Sequence, residues 1–554
     1  MKAAWLVSVI VFLICVTAGY RVRQYNQPHI GELLPLPSRV SLKLVQNTSG
    51  SKPPRIEQTG VFLMSANAAR RSLTSIQKRL TTELQSGGSI RCDDKIACEW
   101  LGSTSDRAGP DDAALTVATS QSWPGEVTSE IGQLPSNQVC IVHLPNNISS
   151  NDRLVAGIIQ LGDQPVSVTS TNTRRDHLLA SNDVDALVLA PLTKKPTAVH
   201  FIVGQSTNNS GQVFIDLNQT DNMSFAQTVI KYGALVGLVL AMFGRHFPIR
   251  TLVGALTWVL LSAGLMTLAY SVYPVYGIGG ILIASVLSLT LCILGQAFAV
   301  DFAPGMLLAC LLGDVITGGY LGTFAGVGAN LVIGARYYGL GNELSALLFA
   351  SLLCLLPSKS MLRILLLGGV ALIVGHPSLG ANGGDMIAVL IATGMYSVMR
   401  GGRKSIILAV ITLLAMACVI LWDAFLAPES MQSHIGRLVE SMGTGFADVI
   451  SSKIAAHFRL MTSSSWGVTS LISILWWVRQ HIKNADRKID LCACVAACLF
   501  LFNDSGPVSL TLFTLVMIIN RKPDTFMSQR GWWETKEYIK SGSFKDDMTP
   551  ERIA

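Results

Sequence analysis

Charge is what this sequence has least of. Only 14% of its 554 residues are Asp, Glu, Lys or Arg, against about a quarter in soluble domains. Half of the residues (50%) are hydrophobic and the mean hydropathy is +0.45. This shortage excludes an ordinary soluble protein and predicts a membrane protein with a soluble part attached. Metal-binding spacings are missing too: there is no Cys-x-x-Cys pair and no His-Glu-x-x-His run, and the nine histidines are scattered. No metal site is therefore expected from spacing, although Asp314, Glu343, Asp385 and Asp504 could jointly hold a hard cation such as Mg²⁺ if they met. No Gly-x-Ser-x-Gly elbow offers a hydrolase serine, and no phosphate-loop spacing accompanies the glycines. No internal repeat stands out, which weighs against a transporter built from repeats. The cofactor, if any, is unread.

What is present is distributed unevenly. The net charge of +7 points to no nucleic-acid partner, because much of the basic excess lies in short links between apolar runs. Arg245, His246 and Arg250 form one such cluster, Lys359 and Arg363 a second, and Arg400, Arg403 and Lys404 a third. Arg479, His481, Lys483, Arg487 and Lys488 form the fourth, and Arg521 and Lys522 the fifth. If all five face the cytoplasm, as basic loops do, the remaining links and the N-terminal domain face outward. Seven of the eleven cysteines (Cys292, Cys310, Cys354, Cys418, Cys492, Cys494 and Cys498) fall in the second, apolar part of the chain and read as packing residues. Cys92 and Cys98 are able to close a short disulfide if their domain lies outside the cytoplasm.

The expected organisation is a polytopic α-helical membrane protein of about twelve spans, some short or broken, with an N-terminal extracytoplasmic α/β domain. Residues 1–23 read as a signal anchor or a signal peptide, with Val16-Thr17-Ala18 as a passable cleavage site; length favours the anchor. Residues 24–226 carry short apolar runs at 40–45, 60–65, 139–144, 185–192, 198–204 and 212–217 that read as strands. Helices are expected over Ala66 to Leu84 and over Arg153 to Leu161. From 227 to 520 the spans fall at about 228–243, 251–272, 278–299, 303–320, 342–356, 364–376, 386–399, 405–426, 461–478, 489–502 and 508–519. Several fall short of the ~20 residues of a full crossing. Such broken backbone survives at membrane depth only where protein or a wet cavity covers it. Residues 521–554 form a charged cytoplasmic tail.

The stretch from Asp314 to Glu343, DVITGGYLGTFAGVGANLVIGARYYGLGNE, holds eight glycines and several polar groups inside this apolar half. Costly ionisable residues there suggest a functional site. Five outward links carry such groups: Asp314; Arg336 with Asn342 and Glu343; His376, Asn382 and Asp385 in GHPSLGANGGD; His434 with Arg437 in SHIGR; and Asn503 with Asp504 in FNDSG. Arg336 and Arg437 suit an anionic substrate held bidentately, and His434 suits proton movement. Glu343 or Asp385 is the expected general base. Asp314, Asn342, Asn382, Asn503 and Asp504 are the expected substrate-binding set. Ser430 to Leu460 reads as an outward amphipathic segment, interfacial or part of the site.

At ARYYGLGNE, GANGGD, SHIGR and FNDSG the chain resembles a family of bacterial polytopic membrane proteins. They pair a multi-span half with an outer domain related in outline to the alkaline-phosphatase superfamily. The metal ligands of that superfamily are missing here, so phosphatase activity is not implied. A shorter similarity, Arg336-x-x-Gly339-x-x-Asn342, is to O-antigen ligases and polymerases, which act on lipid-linked glycans. The resulting expectation is a bacterial inner-membrane protein with an outward polar site, its partners being membrane lipid and a lipid-linked or anionic substrate. An envelope transferase, a secondary transporter or flippase, and a non-catalytic envelope scaffold are the three functional classes it leaves open.

Overall fold

The computed structural model describes residues 9–17, 19–20, 32–34, 39–45, 61–86, 90–103, 105, 115–120, 139–145, 154–161, 166–170, 175–176, 179–193, 199–203, 302–320, 322, 338–356, 360–399, 403–427, 439, 446–483 and 487–519. The expected strand at 212–217, the expected spans at 228–243, 251–272 and 278–299, and the tail lie outside them.

The N-terminal part is α/β. Strands β1 (Glu32–Leu34), β2 (Arg39–Val45), β3 (Val61–Ser65), β4 (Ile90–Cys92), β5 (Leu115–Ser120), β6 (Val139–Pro145), β7 (Leu154–Leu161), β8 (Val166–Ser170), β9 (Arg175–Asp176) and β10 (Val199–Val203) form two sheets. Their orders are β3-β7-β6-β2-β5-β4 and β1-β10-β8-β9. In the larger sheet β2 pairs in parallel with both β5 and β6, and β7 runs antiparallel to β6 and β3. Alternate residues of β2 (Val40, Leu42 and Leu44) are buried with Ile76 and Leu80 of helix α1 (Ala66–Gln85), as the two-residue strand period requires. Cys92 is disulfide-bonded to Cys98, which ties β4 to helix α2 (Lys95–Trp100).

Two expectations in this part are exchanged. Residues 154–161 form strand β7 rather than a helix, because their apolar run pairs on both sides, with β3 and with β6. Residues 185–192 lie in helix α3 (Ser181–Thr193) rather than in a strand. Asp183 Oδ2 accepts from the Ala180 amide at 2.8 Å, the acid-to-N-cap half of a capping box, and this start signal outweighs the β-like apolar run. Short apolar runs do not distinguish the two states by period alone.

Helix α3 packs on α1, and Ser72 of α1 donates to Asp185 at 2.5 Å. Burial pushes the Asp185 carboxyl above its ordinary range, against the lowering effect of Ser72, Ser75 and Arg79. Folding thus favours the protonated acid. That contribution is full below the unfolded carboxylate pKa and is lost as pH rises through the raised folded value. Asp185→Asn keeps an acceptor for Ser72 without the charge. It should resist limited proteolysis better than the parent at pH 7 and no better at pH 3.

The second part is helical. Its helices are α4 (Phe302–Ile316), α5 (Asn342–Leu355), α6 (Ser360–Gly375), α7 (Gly383–Met399), α8 (Arg403–Phe425), α9 (Phe446–Ser463), α10 (Ser465–Lys483), α11 (Arg487–Phe502) and α12 (Gly506–Ile519). All but α9 contribute to one apolar core that includes Leu348, Phe349, Leu367, Val389, Leu499 and Phe513. Among the described residues one stretch, Ile406–Phe425, is long and apolar enough to cross a membrane, and six shorter apolar helices accompany it. The coarse expectation therefore holds, a helical half joined to an α/β part, while the figure of about twelve spans finds one helix of full length. Gly341 precedes α5, Gly383 and Gly506 open α7 and α12, and Pro304 sits in the first turn of α4, where proline is tolerated. Helix α9 occupies the later part of the expected amphipathic segment. An N-terminal helix over 9–17 rests against α4, where a side chain at Gly313 would stand 2.8 Å from Cys15 Cβ.

Candidate functional site

Polar residues at helix starts follow from the chain's own capping needs, since the first amides of a helix lack internal partners. Helices α5, α7 and α12 begin at Asn342, Gly383 and Gly506, and α4, α6 and α11 end just before the same links. Two of these links, 317–341 and 376–382, are laminated through their backbones, and the first is also closed on itself. The Gly339 amide donates to Gly318 O at 3.0 Å and the Leu340 amide to Gly380 O at 2.7 Å. The fit is close: Gly319 (φ 69°) and Gly339 (φ 77°) lie in the left-handed region, as does Ala381 (φ 48°). Side chains at the two glycines would run into Gly339 and Gly380 backbone.

On this frame five expected site residues form one continuous network. Asn342 Nδ2 donates to Asp504 Oδ1 at 2.5 Å. Asn382 Nδ2 reaches Asp385 Oδ2 at 2.6 Å, Leu340 O at 2.9 Å and Asn342 Oδ1 at 3.1 Å. Asn503 Nδ2 donates to Asp385 Oδ1, and Asn382 Oδ1 accepts from the Asp385 amide at 3.2 Å. Asp385 is 0% exposed and Asn382 2%, so one carboxylate is enclosed by amide donors on both oxygens. Asp504 is only half-buried, and its Oδ1 also accepts from the Ser505 amide at 3.1 Å. The network therefore has an inner carboxylate that is fully enclosed and an outer one that is half-buried.

The other expected residues fall differently. Asp314 is buried at the end of α4, where its Oδ2 accepts from the Gly322 amide at 2.7 Å. It fixes the link after α4. Glu343 is buried in the first turn of α5, next to Asn342. Arg336, His434 and Arg437 lie outside the described residues. His376, at the end of α6, stacks on Trp422 of α8 with ring centroids 5.4 Å apart. Among the described residues no group of three or more His, Cys, Asp or Glu is placed to hold a metal, so the four acids do not assemble there as a shared cation site.

Sequence reasoning missed His457. Its Nδ1 lies 3.3 Å from Asn503 O, and its ring meets Phe500 edge-on at 4.8 Å. A carbonyl only accepts, so Nδ1 carries the proton in this contact. Nothing in the sequence beyond a histidine within an amphipathic stretch points to this position. Set beside known proteins, the chain matches no protein-family model, no curated protein and no solved structure.

Proposed function

We propose that the chain is a bacterial inner-membrane protein whose N-terminal domain lies outside the cytoplasm, and that its amide–carboxylate network is the outward-facing site of a transferase acting on a lipid-linked or phosphorylated glycan. The observation that carries this reading is the continuous chain Asp504–Asn342–Asn382–Asp385–Asn503, which joins three links of the helical half. Glycans present dense hydroxyl groups, and amides with carboxylates are able both to donate to and to accept from them. In this reading Asp385 frames the site, because both its oxygens are engaged. Half-buried Asp504 meets the substrate, and Arg336 and Arg437 supply anion contacts. The Cys92–Cys98 disulfide supports an oxidising compartment for the N-terminal domain. Helix α5, with 14 residues, is about 21 Å long. A bilayer core is about 30 Å thick, so a helix of this length does not cross it completely and at least one of its ends falls inside it.

A second reading, transport, draws on that same shortness, since discontinuous helices meeting at polar ends are a transporter feature. One experiment separates them. Asp504→Asn and Asn342→Ala strains are compared with the parent at equal protein level. Loss of an envelope polymer supports the transferase. An intact polymer profile with lost solute uptake supports transport instead. The orientation is tested by Ser378→Cys, which should react with a membrane-impermeant maleimide added outside. Labelling only from the cytoplasmic side would overturn the topology.

A further inference from the structure

The first helical residues of the chain, 9–17 and 19–20, carry one covered stripe. Val11, Phe12, Cys15, Val16 and Gly19 are buried or half-buried, while Val9, Ile10, Leu13, Ile14 and Tyr20 are exposed. That spacing is one face of a helix. Val11 packs against the core of the helical half. The rest of the stripe meets a matching one on α4, formed by Cys310, Gly313 and Thr317 at three- and four-residue spacing. The Cys15 and Cys310 thiols share a hydrogen bond. A Cβ at Gly313 would stand 2.8 Å from Cys15 Cβ and 3.2 Å from Phe12 O, and a Cβ at Gly19 would run into Thr317 Oγ1. Small residues on both sides let apolar helices approach this closely.

The register also gives a direction. From Cys15 to Gly19 the first helix advances four positions, and its partner advances four, from Gly313 to Thr317, so the two run parallel. Thr317 is where α4 passes into the link whose Gly318 O accepts from the Gly339 amide. The N-terminal helix therefore reaches Tyr20 at the end of the bundle that carries the Asn382–Asp385 network. From there to β1 the sequence is RVRQYNQPHIG, eleven residues with two arginines and a histidine. A second crossing needs about 20 apolar residues, so this segment does not return the chain to the other side.

The same small residues have a competing use, because Val16-Thr17-Ala18 is a passable cleavage motif. Cleavage there would strip Phe12 and Cys15 from α4 and leave Gly313 bare. We propose that the N-terminal helix is instead retained in the mature protein as a permanent member of the helical half, docked parallel on α4, and that the α/β domain thereby leaves the bundle on the side that carries the network. The docking does not rest on the glycan reading. It fixes that domain and network share a side without fixing which side that is.

The intact mass of the full-length protein, purified in detergent from its membranes, should include residues 9–20. A chain beginning at Gly19 would overturn retention. Diamide, which takes one hydrogen from each thiol as the sulfur–sulfur bond forms, should join Cys15 to Cys310, read as one linked pair of tryptic peptides. Cys15→Ser and Cys310→Ser should each abolish that pair. Gly19→Leu should lose most of it, and Leu13→Ala, on the exposed side, none. An unlinked Cys15, or a link unchanged in Gly19→Leu, would overturn the docking. For the shared side, Ser105→Cys in the α/β domain and Ser378→Cys beside the network should react with an impermeant maleimide from the same face of the membrane. Reaction from opposite faces would overturn the inference. Reaction of both from the cytoplasmic face alone would retain it and remove the outward orientation proposed above.

Discussion

Asn382→Ala is expected to destabilise the helical half by about 1.5–3 kcal/mol, the cost of removing a hydrogen-bond donor from a buried carboxylate. Its amide group is the donor that three acceptors share: the Asp385 carboxylate, Leu340 O and Asn342 Oδ1. Removing it leaves a fully buried carboxylate with one of its two asparagine amides gone. Asp385→Asn in the same chain should recover part of the loss, because the charge that needed the donor is gone. Thermal unfolding of the single and double variants closes a mutant cycle. Additive losses would show that the two residues do not act as a unit.

Gly319→Ala is expected to cost about 2–5 kcal/mol, enough to lower the folded yield sharply. Left-handed backbone costs an alanine about 1–2 kcal/mol, and overpacking adds about 1–3 kcal/mol. At φ 69° a methyl group would run into the backbone of Gly339, which cannot retreat because its own amide is bonded to Gly318 O. Gly369→Ala and Gly394→Ala are the matched controls. A methyl group at either meets nothing within 4 Å, so those helices should gain about 0.5–1 kcal/mol from the exchange. Yields of the three variants by size-exclusion chromatography check the contrast, and equal yields would refute the close packing of the two ends of the α4–α5 link.

The helices were legible because long apolar runs ended by Gly, Pro or polar residues have few other readings. Asn342, Asn382, Asp385, Asn503 and Asp504 were legible for a related reason. Each stands at or beside a helix start, where a polar side chain is needed, and several such starts turned out to share one end of the bundle. The division of labour among them was not legible. Asp385 was expected as a base, yet its two amide partners come from residues 3 and 118 positions away, and no local pattern announces the second. The exchanged assignments at 154–161 and 181–193 have a similar origin, since strand pairing decided the first and an Asp183 cap the second. His457 depends on a contact with a carbonyl 46 positions away, which no periodicity encodes.

The bond between Asn342 and Asp504 spans 162 positions of chain, and this separation dictates an order of assembly. At a synthesis rate of about 5–20 residues per second, on the order of ten seconds pass between the two ends leaving the ribosome. Throughout that interval the start of α5 lacks its carboxylate partner, and Asp385 lacks the amide of Asn503. The helical half is therefore completed from its last helix, and a chaperone or insertase that shields the start of α5 has its window before α12 arrives.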